Sequence, residues 1–206
     1  MTALAHAMTD SATMLRRNLR HALRYPAMTG SAVLVPVVLL LLFVGVLGDT
    51  LGAGLGGAAA GGGYVDYVTP GIILMTVASG CLATSVSVCV DMTGGIIDRF
   101  RTMAISRAAL LTGHVVGSMI QTMISVVLVI GVAVLLGFRP TGGLLDWSAT
   151  IGLLVLLAFA LTWLAVLIGL ISKTPESASN TPLLIQFLPF VSSAFVPTDA
   201  MPAGVR

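Results

Sequence analysis

Charge is scarce in this chain: Asp, Glu, Lys and Arg together make 9% of its 206 residues, where a soluble globule carries about 25%. So little charge cannot dress a water-facing surface, and a 57% hydrophobic content with a mean hydropathy of +1.05 makes lipid the solvent. Lysine is almost missing. The single one, Lys173, follows Ser172, so a Gly-x-x-x-x-Gly-Lys-Ser/Thr phosphate cradle is excluded and any nucleotide hydrolysis belongs to another chain. His6, His21 and His114 are scattered without metal-ligand spacing, and no carboxylate pair falls inside an apolar run. A metal centre and a proton relay therefore lack raw material. The serines show no nucleophile-elbow pattern with His and Asp partners, so no catalytic residue and no cofactor is expected in this chain. Cys81 and Cys89 lie eight residues apart in one apolar run. A helix separates them by about 12 Å, beyond disulfide reach, and they read as small packing residues.

Long apolar runs are what the chain has in abundance. Five of them, 31–48, 68–90, 110–137, 148–172 and 178–196, come near or exceed the roughly 20 residues that cross a bilayer as helix. The expected fold is one all-α integral membrane domain over 1–206 with about five transmembrane helices. Pro182 and Pro189 remove backbone donors from the last run, which predicts a bend or break there. The basic stretch 16–24 precedes a longer apolar run without a small-residue cleavage site, so no removable signal is read. Orientation follows from the basic residues. Arg16, Arg17, Arg20, Arg24, Arg99, Arg101, Arg107 and Lys173 fall on one side of the five spans, and only Arg139 and Arg206 on the other. Basic residues stay inside, which predicts a cytoplasmic amino terminus in the inner membrane and an outer carboxyl terminus. Tyr64, Tyr67 and Trp147 then sit at outer boundaries and Trp163 near the inner one. The Gly- and Ala-rich stretch 48–63 reads as a linker, and no internal repeat is visible.

Two segments on the basic side carry more information than orientation. Over 14–25, Leu15, Leu19, Ala22 and Leu23 share one helical face while Arg17, Arg20 and Arg24 share the other, the pattern of a helix lying in the lipid interface. The same charges also serve simply as an orientation signal with lipid-phosphate contacts. Over 91–107, Ile96, Phe100 and Met103 form an apolar stripe with Asp98 and Arg101 pointing away, predicting a short amphipathic helix after a bend at Gly94 and Gly95. A connecting loop that merely obeys the positive-inside rule is the alternative.

The runs YVTPGIILMTVASG (67–80), DMTGGIIDRFRTMAISRAALLTGHVVGS (91–118) and FVPTDAMP (195–202) resemble the membrane subunit of bacterial ABC-2 type exporters, especially the daunorubicin-resistance permease group of actinobacteria. The resemblance covers nearly the whole chain. It implies a six-helix permease bundle that pairs with a second permease copy and with a separate ATP-binding subunit holding ATP and Mg; nucleic acid is not an expected partner. It also implies that 94–107 is the coupling helix, with Gly95, Asp98, Arg99, Arg101 and Arg107 facing the ATPase, and that 14–25 is an interfacial elbow. Two departures stand out. Ala104 occupies a stretch where such permeases usually carry proline, and the sixth helix that follows FVPTDAMP in them is absent, so a truncated product that does not transport is expected.

Within the spans, Thr76, Gly80, Ala83 and Ser87 are spaced by four, three and four on one helical face. Small residues of this kind serve close helix packing or line a substrate path. Gln121 and Gln186 fall inside predicted spans and each needs a partner or a wet cavity. Thr76, Ser87, Gln121 and Gln186 are thus the candidates for a path. The function expected is the permease half of an ATP-driven exporter of an apolar drug-like, lipid or glycan-linked substrate. A non-transporting membrane scaffold or assembly subunit is the alternative, and a secondary transporter is disfavoured by the lack of intramembrane charge.

Overall fold

The computed structural model describes residues 26–48, 50, 63–94, 107–139, 142–191 and 195. These form five α-helices and a closing 3-10 turn: α1 (Pro26–Gly45), α2 (Gly63–Thr93), α3 (Arg107–Leu135), α4 (Leu144–Ile171), α5 (Pro175–Phe187) and the turn Leu188–Val191. No strand occurs among the described residues. The helices Gly63–Thr93 and Leu144–Ile171, and Leu111–Leu135 within α3, are long and apolar enough to cross a membrane; α1 has the shorter apolar stretch Val33–Gly45. The protein is an all-α, multi-pass membrane protein. At 31 residues, α2 is about 46 Å long, so it projects beyond a hydrocarbon layer of about 30 Å.

Local chemistry sets the helix ends. The Asp146 carboxylate accepts the Gly143 N–H at 2.9 Å in the first turn of α4. Thr174 caps α5 by accepting from the Ser177 N–H at 3.3 Å, with Pro175 in the first turn, where its missing donor costs nothing. α3 stops at Gly137, whose φ of +102° suits glycine alone, and the next N–H, from Phe138, reaches back to the Ala133 carbonyl at 2.9 Å.

The axis of the bundle is α2. In its apolar window 56% is buried, against 28% in α3 and in α4, so it is the helix surrounded by protein while the others face lipid. Three clusters fix its neighbours. Leu40, Val68, Ile72, Val129 and Ala133 join α1, α2 and α3; Val77, Val126, Leu154 and Ala158 join α2, α3 and α4; Val88, Val115 and Val166 do so further along. The pairings run in opposite residue order for α3 and in the same order for α4, so α3 is antiparallel to α2 and α4 parallel to it. Lipid tails are as apolar as leucine, so such clusters hold through close packing rather than escape from water.

The α2–α4 seam is the tighter one. A Cβ at Gly169 would lie 2.6 Å from the Ser85 carbonyl oxygen and 2.9 Å from Val88 Cβ, so only glycine permits this approach. Cys81 and Cys89 are free and buried, and their thiols point at the carbonyls of Leu161 on α4 (3.4 Å) and of Ser172, which caps the end of α4 (3.5 Å). They pack rather than pair. The Ser85 hydroxyl is buried without a partner among the described residues.

Over the fifth apolar run the chain forms α5, only 13 residues long, and then the 3-10 turn. α5 continues through Pro182, which is buried together with Ala178, and ends before Pro189. Beyond the turn, Phe195 stacks on Phe190 at 4.9 Å, meets Phe43 of α1 at 5.8 Å and joins the cluster of Leu40, Val68 and Ile72. Ser172 lies against Cys89, and Cys89 and Val68 are about 30 Å apart along α2. The chain from Ser172 to Phe195 therefore travels the length of the bundle in short pieces, not as one helix. The expected interfacial helix over 14–25, most of the linker 48–63 and the stretch 196–206 lie outside the described residues.

Candidate functional site

The stripe Thr76, Gly80, Ala83 and Ser87 faces α3, which answers with His114, Ser118, Gln121, Thr122 and Ser125, and together with Ser79 and Thr84 these residues line one narrow cleft. Antiparallel register places them in rungs. Gly80 stands against Thr122, so closely that a Cβ there would collide with the Thr122 hydroxyl. One turn on, the hydroxyls of Thr84 and Ser118 are hydrogen-bonded across the seam. At the end where α2 gives way to 94–106, His114 Nε2 donates to Asp91 Oδ2 at 2.9 Å.

Most hydroxyls in this seam already have a partner on their own helix. Thr76 donates to the Ile72 carbonyl (2.7 Å), Thr84 to Gly80 (2.8 Å), Ser79 to Thr76 (2.7 Å) and Ser125 to Gln121 (3.0 Å). Back-bonding of this kind lets a hydroxyl sit in a span without an orphan proton. Thr69, Thr93, Thr150, Thr162 and Thr181 do the same. Thr122 does not; its hydroxyl is turned across the seam toward Gly80.

The cleft holds about 60 Å³, room for one or two waters at ~30 Å³ each and far below the ~300 Å³ or more of a drug-sized site. It is a narrow cleft rather than a channel, with Ala83 exposed and Ser87, Ser118 and Gln121 half-buried. Among the described residues no Lys or Arg lines it. Among the described residues no group of three His, Cys, Asp or Glu could hold a metal ion.

Of the path candidates, Thr76, Ser87 and Gln121 come together in this seam. Gln186 does not; it is half-buried on α5. Gly95, Asp98, Arg99 and Arg101 lie outside the described residues, and Arg107 opens α3 with its side chain outside them. Asp91 is different from the expectation that the connecting segment begins there, because α2 continues through Thr93. The two helices of the seam are thus the two that 94–106 joins. Sequence reasoning missed the Asp91–His114 pair by judging histidines on metal spacing alone. A signal existed: positions 114, 118, 121, 122 and 125 share one face of a helix.

Comparison with known proteins adds the following. The family profile of the ABC-2 type transporter matches residues 10–206. The chain is 27% identical, over 99% of its own length and 70% of the relative's, to the daunorubicin resistance ABC transporter permease protein DrrB1 of Streptomyces coeruleorubidus. It is 23% identical to the probable doxorubicin resistance ABC transporter permease protein DrrC of Mycobacterium tuberculosis, over 82% of this chain and 61% of that one. The chain therefore spans about two thirds of the length of these relatives. No solved structure matches the chain significantly.

Proposed function

The chain belongs to the ABC-2 type transporter family, and from that membership we propose that it is the permease subunit of an exporter driven by a separate ATP-binding subunit. In this reading the amino terminus is cytoplasmic, a second permease copy completes the pathway, and ATP with Mg is held entirely by the partner. The substrate class is a hydrophobic drug-like, lipid or glycan-linked molecule, the drug-like member being in keeping with the daunorubicin and doxorubicin resistance named for the two relatives. The observation that supports the reading is a polar seam formed by α2 and α3, the two helices that the charged segment 94–106 joins in the chain. Thr76, Ser87 and Gln121 would meet the polar part of the substrate, while Asp98, Arg99, Arg101 and Arg107, released by the bend at Gly95, would meet the ATPase. Transport needs no covalent step in this chain. The partner binds two arrangements of the permease with different affinity, and ATP binding shifts the population between them.

The test is co-expression of the full-length permease with its ATP-binding subunit. The pair should co-purify, and the Asp98→Ala/Arg101→Ala variant should insert normally yet lose stimulation of ATP hydrolysis, because exposed charges position a partner more than they stabilise a fold. Co-purification with stimulation unchanged in that variant refutes the coupling assignment. Co-purification without any stimulation by the parent protein favours a scaffold role.

A further inference from the structure

The cleft between α2 and α3 holds polar groups that the protein itself leaves unanswered. Thr122 is only 5% exposed, yet its hydroxyl, turned across the cleft toward Gly80, has no hydrogen-bond partner among the described residues. The side-chain amide of Gln121 beside it has none either. Their neighbours differ, since Thr76, Ser79, Thr84 and Ser125 donate to their own helices and Ser118 is bonded to Thr84. Depth makes the difference costly. Gly80, which stands against Thr122, lies about 26 Å along α2 from Gly63 and about 20 Å from Thr93. The site is therefore near the middle of a span, where water is scarce and an unpaired polar group is expensive. It is also open on one side. Ala83 is exposed and Gln121 half-buried, and Ile124 and Leu128, which follow Gln121 at helical spacing, are exposed apolar side chains. A polar notch thus opens onto an apolar, lipid-facing stripe of α3.

The chemistry of the notch selects what fills it. A threonine hydroxyl and a glutamine amide each offer both a donor and an acceptor, and the ionisable side chain that lines the cleft, His114, lies about 12 Å further along α3, hydrogen-bonded to Asp91. A charged group would find no counter-charge at this level. Ser87, the cleft's other hydroxyl without a partner, is about 10 Å along α2 from Gly80 and out of reach of the same group. The complement of Thr122 and Gln121 is a neutral group that donates and accepts at once, and the cleft's 60 Å³ admits that group but not a body attached to it. We propose that Thr122 and Gln121 form a subsite for one uncharged hydroxyl of an amphipathic molecule dissolved in the bilayer, whose apolar body stays outside along Ile124 and Leu128. This rests on the exporter reading above and names the part of the substrate that the cleft recognises, with the lipid as the side from which it arrives. Gly80 keeps the space open, because a Cβ there would collide with the Thr122 hydroxyl.

The experiment uses the full-length permease with its ATP-binding subunit in membrane vesicles and two photoreactive probes, hexadecanol carrying a diazirine close to its hydroxyl and hexadecane carrying the same diazirine. Cross-links are located by mass spectrometry. Without ATP, the alcohol should tag residues around Ala83 and Gln121 with about five times the yield of the hydrocarbon, the scale of one neutral hydrogen bond. Thr122→Ala should lower the alcohol's yield there by about the same factor. Thr122→Ser, which loses the same methyl but keeps the hydroxyl, should hold the parent's yield. Tagging by the hydrocarbon along Ile124 and Leu128 should be the same in all three proteins. Equal yields of alcohol and hydrocarbon in the parent overturn the subsite and leave a cleft that holds water only. Equal yields of the alcohol in parent and Thr122→Ala overturn it too, and so does a loss in Thr122→Ser as large as in Thr122→Ala, which would mean shape rather than hydrogen bonding. Should Thr122→Ala fail to insert, Gln121→Leu at the half-buried rim serves instead, and an alcohol yield unchanged by it overturns the subsite. Adding ATP should lower the alcohol's yield in the parent as the molecule is moved on. A yield that depends on Thr122 but ignores ATP marks a resident lipid hydroxyl, and it refutes the exporter reading while the subsite stands.

Discussion

Replacing Gly169 with alanine should measure how tightly α2 and α4 are held. The new Cβ would sit 2.6 Å from the Ser85 carbonyl oxygen and 2.9 Å from Val88 Cβ, where ordinary contact begins at 3.4 Å. Neither neighbour is the free end of a flexible side chain; one is backbone and the other is fixed at its branch. The helices must therefore part locally by ~0.8 Å, and a gap of that size forfeits a quarter to a half of each dispersion contact it opens. Val88 and Val166 are buried beside this point, at 2% and 1% exposure, so the lost contacts are full ones. Overpacking of this kind costs about 1–3 kcal/mol, partly offset by the ~1 kcal/mol by which alanine exceeds glycine as a helix former. The net expectation is about 0–2 kcal/mol of destabilisation, a fall of up to roughly 8 °C in apparent melting temperature for a chain of this size. Gly152, on the same helix, is the control, since nothing lies within 4 Å of its Cβ position; Gly152→Ala should be neutral or slightly stabilising. Heating the detergent-solubilised permease and following the monodisperse peak by size exclusion reads both. A Gly169→Ala protein that melts at or above Gly152→Ala refutes the close approach of α2 and α4.

The α2–α3 seam makes its own prediction: Gly80→Ala should cost about 1–3 kcal/mol by striking the Thr122 hydroxyl, and the second change Thr122→Ala should recover most of it, because the Thr122 carbons stand at an ordinary 3.5 Å from that position. Additive effects of the two changes would show that they do not touch. A membrane-permeant maleimide should leave Cys81 and Cys89 unmodified in the folded protein and modify both after denaturation, and rapid native labelling of either would contradict its burial at 2% and 0% exposure. Reporters inserted after Arg139 and after Lys173 should score on opposite sides of the membrane, since α4 spans between them, and one after Phe195 should agree with Arg139. The Arg139 N–H is bonded to Asp66 at the same end of α2 that Phe195 reaches. Agreement of Arg139 with Lys173 would show that α4 does not cross.

How much of this was legible in the sequence depends on what kind of signal each feature leaves. Long apolar runs place helices because lipid demands that backbone groups be satisfied within the segment, and α2, α3 and α4 follow runs 68–90, 110–137 and 148–172, starting three to five residues earlier and ending within three residues of them. The extension of α2 matters: running through Asp91, it brings that carboxylate level with His114. Periodicity located the stripe Thr76, Gly80, Ala83, Ser87, and it does line the seam, but the stripe alone names no partner helix. Pairing is long-range information, and Gln121 joins the stripe while Gln186 does not because α3 and α5 meet different faces of α2. Nor could spacing find Gly169, whose need for glycine comes from a carbonyl 84 residues away in the chain.

The two faces of α2 differ in what holds them, and the difference decides which can move. On the α4 side the contacts are apolar and close. Separating Val77, Val88, Leu154 and Val166 forfeits dispersion contacts that lipid restores only after filling the gap, and the thiols of Cys81 and Cys89 lose their carbonyls as well. On the α3 side, Thr76, Thr84, Ser79 and Ser125 keep their own-helix hydrogen bonds however far the helices part. Separation therefore creates few orphan polar groups, although an unpaired group in hydrocarbon costs several kcal/mol. Had leucine stood at these positions, the seam would be filled and as firm as the other; had asparagine or glutamine stood at all of them, each would need a partner across it. Serine and threonine at helical spacing give a face polar enough to receive water or the polar part of a ligand, with Thr76, Ser79, Thr84 and Ser125 satisfied without either. What holds this face is apolar packing of Val68, Val77 and Val88 against Val129, Val126 and Val115, the Gly80–Thr122 contact, the Thr84–Ser118 hydroxyl pair and the shielded Asp91–His114 hydrogen bond.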